Sequence, residues 1–130
     1  MNVKEKALEY HDGGYNCAQA VLAACGEYTG LDEKTALAVS AGFGGGLRSG
    51  EVCGAISGAV MAVGLANPFT DASDAAAKAK IAALAKDCVA AGKDKFGCTS
   101  CSELKGAKEN CPYYISEMAA IAEEMIIKNK

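Results

Sequence analysis

Long hydrophobic runs are missing from this 130-residue sequence. Its most apolar stretch, residues 55–66, is interrupted by Gly58 and Gly64 and is shorter than the roughly 20 apolar residues that cross a bilayer. The first residues, MNVKEKALEY, also lack the apolar run and the small-residue cleavage site of a secretory signal. We therefore expect no membrane insertion and a cytoplasmic location.

Basic residues are too few to favour a nucleic acid partner. The chain has 13 Lys and Arg against 16 Asp and Glu, a formal net charge of −3 at pH 7, and its basic side chains are scattered along the sequence. Proteins that bind a phosphate backbone concentrate Lys and Arg on one face. We therefore expect no nucleic acid partner.

Segments that alternate β-branched and polar residues, as strands do, are also absent. Almost every segment instead has the apolar spacing of a helix. After the apolar segment of residues 50–66, which is the predicted central helix, a further helix is expected to begin at Thr70 or Asp71 and to end at Gly92. The sequence predicts an all-α, compact single-domain bundle of about five to seven helices around an apolar central helix, with no repeat or linker dividing residues 1–130. The predicted helical segments are residues 3–11, 16–25, 32–41, 50–66, 71–91, 96–104 (a short helix or turn) and 111 onward.

Small residues recur every four positions along the central helix, at Gly54, Gly58 and Ala62. Residues at this spacing form a flat strip on one helix face, against which another backbone can lie closely. The strip could serve either the core of this chain or a homodimer, and the sequence leaves both open.

Cysteine is abundant: there are seven. Their odd number, without an export signal, argues against a disulfide-stabilised secreted scaffold. So many reduced thiols indicate metal binding or redox chemistry. Cys25 and Cys88 lie on apolar helical stripes, where cysteine often packs as a small apolar side chain, and we assign both to the core.

Three further cysteines stand at predicted helix starts. Cys17 follows the predicted cap Asn16, Cys53 lies near the start of the central helix, and Cys111 begins the last helix. Unpaired N–H groups and the positive end of the helix dipole stabilise a thiolate there and lower its pKa. We interpret these cysteines as parts of one reactive or metal-binding site, with core packing as the alternative.

Cys98 and Cys101 form a C-x-x-C pair. This spacing suits both a dithiol–disulfide switch and paired thiolate ligands of a metal. The βαβ context of a thioredoxin-like protein is missing. No histidine follows Cys101, as it does in helical disulfide reductases of the alkylhydroperoxidase D type. The single histidine, His11, stands beside Asp12 at a helix end, where we expect a surface role.

The segment GFGGGLRSG contains Gly42 and three consecutive glycines, Gly44, Gly45 and Gly46. It is not a P-loop, because the Lys and Ser/Thr that complete G-x-x-x-x-G-K-[ST] are missing. The glycines permit a tight connection between helices. Their bare N–H groups could also donate to a thiolate or to cluster sulfide. Arg48 could balance negative charge at such a site, or lie in solvent.

Four segments together resemble a known family: YNCAQAVLAA, GFGGGLRSGEVCGAISGA, FGCTSCSELKG and CPYYISEMAAIAEEM. They are similar to the redox-active proteins labelled C_GCAxxG_C_C, which are defined by four cysteines and a Cys-Gly-Ala-x-x-Gly motif. Residues 53–58 match that motif, and the resemblance covers nearly the whole chain.

The resemblance implies an all-helical bacterial or archaeal redox protein, with its family cysteines at Cys17, Cys53, Cys101 and Cys111. Related domains are joined to multihaem cytochromes, which suits electron transfer. The family has no established common reaction. Cys98 is an additional thiol, so the resemblance leaves open which member of the C-x-x-C pair faces the site.

Four thiolates close together repel one another and must be neutralised or oxidised. We expect first an iron–sulfur cluster, [2Fe–2S], that transfers electrons to and from a redox partner protein. The second hypothesis is cluster-free thiol–disulfide exchange by Cys98 and Cys101 as catalytic residues. The third is a zinc-stabilised helical binding module. The predicted metal ligands are Cys17, Cys53, Cys101 and Cys111, and the predicted cofactor-binding residues are Gly44, Gly45, Gly46 and Gly54.

Overall fold

Helices provide nearly all the regular structure in the computed structural model, which describes residues 1–105 and 111–130. The all-α prediction is confirmed, and in this part of the chain the β structure is one isolated antiparallel bridge, between Val52 and Ser100. Eight α-helices lie in the described residues: α1 (Val3–Asp12), α2 (Cys17–Ala24), α3 (Gly26–Thr29), α4 (Glu33–Ser40), α5 (Gly54–Ala66), α6 (Ala75–Phe96), α7 (Cys101–Lys105) and α8 (Cys111–Lys128).

One of the eight helices among the described residues, α3, was not predicted from the sequence. The backbone leaves helical geometry at Cys25, with φ −90° and ψ 12°, which ends α2. A single further turn then follows and ends at Gly30, whose φ of 73° is left-handed. Glycine tolerates that conformation without steric cost, so the chain changes direction in one turn.

The long helix α6 begins and ends later than its sequence indicated. Asp74, not Thr70 or Asp71, is its cap: the Asp74 side chain accepts a hydrogen bond from Ala77 N at 3.0 Å. Asp71 instead accepts from Ser73 N in the preceding turn, at 2.9 Å. Gly97, with φ 87°, ends the helix, because Gly92 lies inside it and packs on the core.

The apolar helix α5 occupies the centre of the fold, as predicted, and packs on α2, α6 and α8. Ile56, Ala59 and Val63 are fully buried on it. It begins at Gly54 rather than at residue 50, because residues 50–53 approach the chain around Ser100 to form the antiparallel bridge.

The small-residue strip of α5 is buried within this chain, against α2. A Cβ added at Gly58 would lie 2.7 Å from the carbonyl oxygen of Ala18 and 3.1 Å from Cβ of Val21. Contacts this short leave no room for a side chain. The strip is therefore used by the core and is not open to a second copy of the chain.

Cys25 and Cys88 are fully buried in the core, in agreement with the packing role assigned to them. Burial raises the pKa of the Cys25 thiol to about 12 and that of the Cys88 thiol to about 11. Desolvation disfavours the charged thiolate, so both side chains stay neutral.

No helix in the described ranges combines the length and the apolar character that a bilayer-spanning segment requires.

Gly58→Ala is expected to destabilise the fold by about 1–3 kcal/mol, because its methyl group overlaps the backbone of α2. The matched control is Gly64→Ala on the same helix, where the nearest atom to the added Cβ is 3.9 Å away. That change should stabilise the protein by about 0.5–1 kcal/mol, because glycine is a poor helix former. Urea unfolding measures both, and equal effects would contradict this packing.

Iodoacetamide at pH 8 is expected to leave Cys25 and Cys88 unmodified in the native, reduced protein, because the neutral thiol is unreactive and both are inaccessible. Cys17, Cys98 and Cys111, which are partly exposed, should react first. Mass spectrometry of peptides measures the order, and full unfolding should make all these thiols reactive. Early modification of Cys25 or Cys88 would show that they are not core residues.

Candidate functional site

Four cysteines from distant parts of the chain line one cavity of about 190 Å³: Cys17, Cys53, Cys101 and Cys111. These are the four predicted as metal ligands. Of the seven cysteines, all of which lie in the described residues, Cys25, Cys88 and Cys98 do not line it. Cys101 is thus the member of the C-x-x-C pair that faces the cavity, whereas Cys98 is half-buried at the edge of the core.

Each of the four cysteines stands at the beginning of a helix. Cys17, Cys101 and Cys111 are the first residues of α2, α7 and α8, and Cys53 is the N-cap of α5. Helix starts carry N–H groups without intrahelical acceptors and the positive end of the dipole. Each helix start therefore contributes positive potential to the cavity wall.

Asn16 fixes the position of Cys17. Its Oδ1 accepts from Gln19 N at 3.0 Å, and Gln19 Oε1 accepts from Asn16 N at 3.0 Å, which together form a capping box. Asn16 Nδ2 also donates to the carbonyl oxygen of Ala41, at 3.0 Å. The start of α2 is thereby attached to the segment that leads into the glycine-rich loop.

The antiparallel bridge holds Cys53 and Cys101 on neighbouring segments. Cys53 N donates to the carbonyl oxygen of Thr99 at 2.7 Å, and Cys101 N donates to that of Glu51 at 2.6 Å. The hydroxyl of Ser102 donates to Gly50 O at 2.9 Å and extends the connection. Backbone hydrogen bonds therefore fix the relative position of these two cysteines.

Three of the four glycines predicted to bind a cofactor, Gly44, Gly46 and Gly54, make close contacts around the cavity. A Cβ on Gly54 would collide with Sγ of Cys17, and a Cβ on Gly44 would lie 2.6 Å from Cβ of Asn16. A Cβ on Gly46 would lie 2.8 Å from Cβ of Cys101. Of the four, Gly45 lines the cavity itself. Their close approach to backbone and sulfur is a structural role, and cofactor binding stays a prediction.

Residues 45–48 form a left-handed turn beside the cavity. Gly45 and Gly46 have φ of 66° and 63°, and Leu47 and Arg48 continue it with φ of 60° and 58°. This region costs non-glycine residues energy, and such strain is common at functional sites. The turn brings Arg48 to the cavity wall. This position is compatible with the role of balancing negative charge in the cavity.

The electrostatics of the site centre on Cys53. Burial raises the pKa of its thiol to about 11, the backbone N–H of Ala55 opposes that effect, and negative charge on Cys17 or Cys101 adds to it. Cys53 is thus within electrostatic range of both other thiols. Several thiolates in this cavity would repel one another.

A single metal ion has no ready-made site here. Among residues 1–105 and 111–130, no group of three or more His, Cys, Asp or Glu side chains is arranged to hold one. The four thiols share a cavity without converging on one point.

His11 is a site residue that the sequence analysis missed. It lies in the last turn of α1, and it lines the cavity together with Arg48 and Tyr114. Its Nδ1 is buried and has no hydrogen-bond partner among the described residues. Nothing in the local sequence indicates this, because the position of His11 depends on the packing of α1 against α2 and α8.

Comparison with known proteins gives one family. A family model described as "Putative redox-active protein (C_GCAxxG_C_C)" matches residues 15–125, which include all seven cysteines. No curated protein and no solved structure matches the chain. The match spans most of the sequence, so the chain belongs to the C_GCAxxG_C_C family of redox-active proteins.

Proposed function

We propose that this protein is an electron carrier whose four cavity cysteines, Cys17, Cys53, Cys101 and Cys111, bind a [2Fe–2S] cluster. The observation that carries the proposal is that these four thiols, at four helix starts, line one cavity. When bound, an iron–sulfur cluster supplies a reversible one-electron couple. The helix starts would stabilise the ligating thiolates.

The size of the cavity supports a group placed between the thiols. Its volume of about 190 Å³ is on the order of six water molecules at ~30 Å³ each, which is enough for the four atoms of a [2Fe–2S] core. Two sulfurs that formed a disulfide would need to be about 2 Å apart and would need no cavity. A binuclear cluster therefore makes better use of this geometry than a disulfide does.

The lack, among the described residues, of a group of thiols converging on one point favours two iron atoms over one zinc ion. A structural zinc takes four ligands around one centre, with Zn–S near 2.3 Å. The described residues offer no such convergence. A [2Fe–2S] cluster takes two thiolates at each iron, so pairs of thiols on opposite sides of a cavity suffice. The zinc-stabilised module is accordingly the weakest of the three hypotheses.

The surroundings of the cavity suit electron transfer with a partner protein. Leu104, Tyr114 and Ile115 form buried apolar parts of its wall, which limits the access of water. Arg48 and Cys101 line both the cavity and a shallow surface pocket of about 270 Å³. We propose that a one-electron redox partner approaches on that side.

Protein purified without oxygen is expected to be brown, with iron and acid-labile sulfide in equal amounts, two of each per chain. Cys53→Ser should lose most of both, because the serine hydroxyl is a poorer ligand for iron than a thiolate. Cys25→Ala is the matched control, because Cys25 is fully buried away from the cavity, and its iron content should equal that of the unaltered protein.

Iron and sulfide analysis together with visible absorption makes this measurement. Colourless, iron-free protein from anaerobic purification and anaerobic reconstitution would overturn the cluster. Loss of iron in Cys25→Ala but not in Cys53→Ser would place the metal elsewhere.

The second candidate function is thiol–disulfide exchange without a metal, and the lack of a converged ion site in the described residues favours it. Cys98 and Cys101 would each lose a proton and together lose two electrons, forming one S–S bond. A disulfide in a partner protein would take up both electrons and both protons and become two thiols. Cys98 is half-buried and outside the cavity, where a partner could reach it.

Metal-free protein separates this candidate from the first. Under mild oxidation, thiol–disulfide exchange predicts the reversible loss of two thiols, with Cys98 and Cys101 joined in one peptide pair by mass spectrometry. Cys98→Ala should abolish that pair, whereas under the cluster proposal Cys98→Ala leaves iron content unchanged. Retention of all thiols in the oxidised, metal-free protein would exclude the dithiol mechanism.

A further inference from the structure

Two polar side chains on the wall of the cysteine cavity have no partner within the described part of the protein. The side-chain oxygen and nitrogen of Asn16 each have a partner, Gln19 N and Ala41 O. The hydroxyl of Tyr114 donates to Leu104 O at 3.3 Å. Nδ1 of His11 is buried without a hydrogen bond, whereas Arg48 is exposed and its guanidinium makes no hydrogen bond or ion pair with residues 1–105 or 111–130.

A buried polar atom without a partner is costly, and in native proteins it usually marks a bound group or an ordered water. His11 and Arg48 are both able to donate hydrogen bonds. The three ion pairs among the described residues all lie elsewhere, on Lys4, Lys6 and Lys95. Among the described residues, the one buried side-chain nitrogen or oxygen without a partner, His11 Nδ1, thus lies at this cavity.

Among the described residues, the charged side chain on the cavity wall, Arg48, is positive. In the described part of the chain no Asp or Glu lines the cavity, whereas Arg48 and the helix starts contribute positive potential. His11 lies in the last turn of α1, where the helix dipole favours a positively charged or proton-donating group. A negatively charged occupant is therefore the one that this wall complements.

We propose that His11 and Arg48 hold the negative charge of the sulfur group in the cavity, His11 by a hydrogen bond donated from Nδ1 and Arg48 through its guanidinium. This inference rests on the proposed function. Both candidate functions place anionic sulfur in the cavity, either as the thiolates and sulfide of a cluster or as thiolates without a metal. His11 lies outside residues 15–125, so the family match does not assign it this role.

The consequence is a higher reduction potential. Reduction adds negative charge to a cluster, and reduction of a disulfide produces thiols that can ionise, so in both cases donors and positive charge stabilise the reduced form. His11 and Arg48 are positioning residues for that charge. Removing either should make the protein harder to reduce.

His11→Phe and His11→Asn form the decisive pair of variants. Phenylalanine keeps the ring and loses both nitrogens, whereas the asparagine amide places a donor close to where Nδ1 stands. We expect His11→Phe to lower the ratio of reduced to oxidised protein at fixed potential about tenfold, which is about 59 mV for a one-electron couple. His11→Asn should restore most of it. Spectroelectrochemistry of the iron-loaded protein measures both.

Arg48→Met and Arg48→Lys test the charge in the same way. Methionine retains a similar stem without charge, and lysine retains the charge without the planar fork. Arg48→Met should also lower the potential, and Arg48→Lys should fall between it and the unaltered protein. Circular dichroism and iron content, both expected to be unchanged, check that the variants are folded and loaded.

The possible outcomes separate this inference from the proposed function. Equal potentials in the unaltered protein and in His11→Phe would overturn the inference and leave the cluster in place; water would then be the partner of Nδ1. If the protein binds no iron, the cluster is wrong, and the variants are equilibrated with glutathione redox buffers instead. A tenfold shift there, about 30 mV for two electrons, supports the inference; no shift, or no reversible disulfide, overturns it.

Discussion

The close approach of α2 and α5 is the contact on which the site depends. It requires glycine at two positions of α5, because a side chain at Gly54 would collide with the sulfur of Cys17 and one at Gly58 would overlap the backbone at Ala18. Cys17 begins α2 and Cys53 caps α5, so any shift of one helix along or away from the other separates these two thiols. The packing of α2 on α5 in the core therefore also fixes the positions of Cys17 and Cys53 in the cavity.

The other two cysteines reach the cavity by different means. Cys101 is attached to the segment before α5 by backbone hydrogen bonds, which depend little on side-chain identity. Cys111 depends on the packing of α8, which buries Ile115 and Met118 against the rest of the core. One side of the cavity is thus fixed by hydrogen bonds and the other by hydrophobic burial, and a change in core packing would move the second side more readily.

The sequence predicted what local chemistry determines. Caps and glycine positions were enough to place Cys17, Cys53 and Cys111 at helix starts, and apolar periodicity was enough to assign Cys25 and Cys88 to the core. Features that depend on tertiary contacts were missed. Gly92 looked like a helix end, but its lack of a side chain serves packing, since a Cβ there would lie 3.1 Å from Ile56 and 3.2 Å from Sδ of Met118.

His11 was missed for the same reason. A lone histidine at the end of a polar helix carries no periodic signal, and only the packing of α1 places it in the wall of the cavity that the four cysteines line. The choice between Cys98 and Cys101 was equally open, because it depends on which residue follows the bridge at Ser100 and enters α7. Local propensity determines which helices form, whereas the packing of those helices determines which side chains line the cavity.

The balance between burial and charge explains why this cavity suits redox chemistry. Burial alone keeps Cys53 protonated, with a pKa near 11, and a cavity of neutral thiols has little capacity to bind metal or to attack a disulfide. The fold opposes that tendency with helix starts at every cavity cysteine, an arginine held in a strained left-handed turn, and a buried histidine nitrogen without a partner. The buried nitrogen of His11 is costly without a partner, and negative charge on sulfur in the cavity would offset that cost.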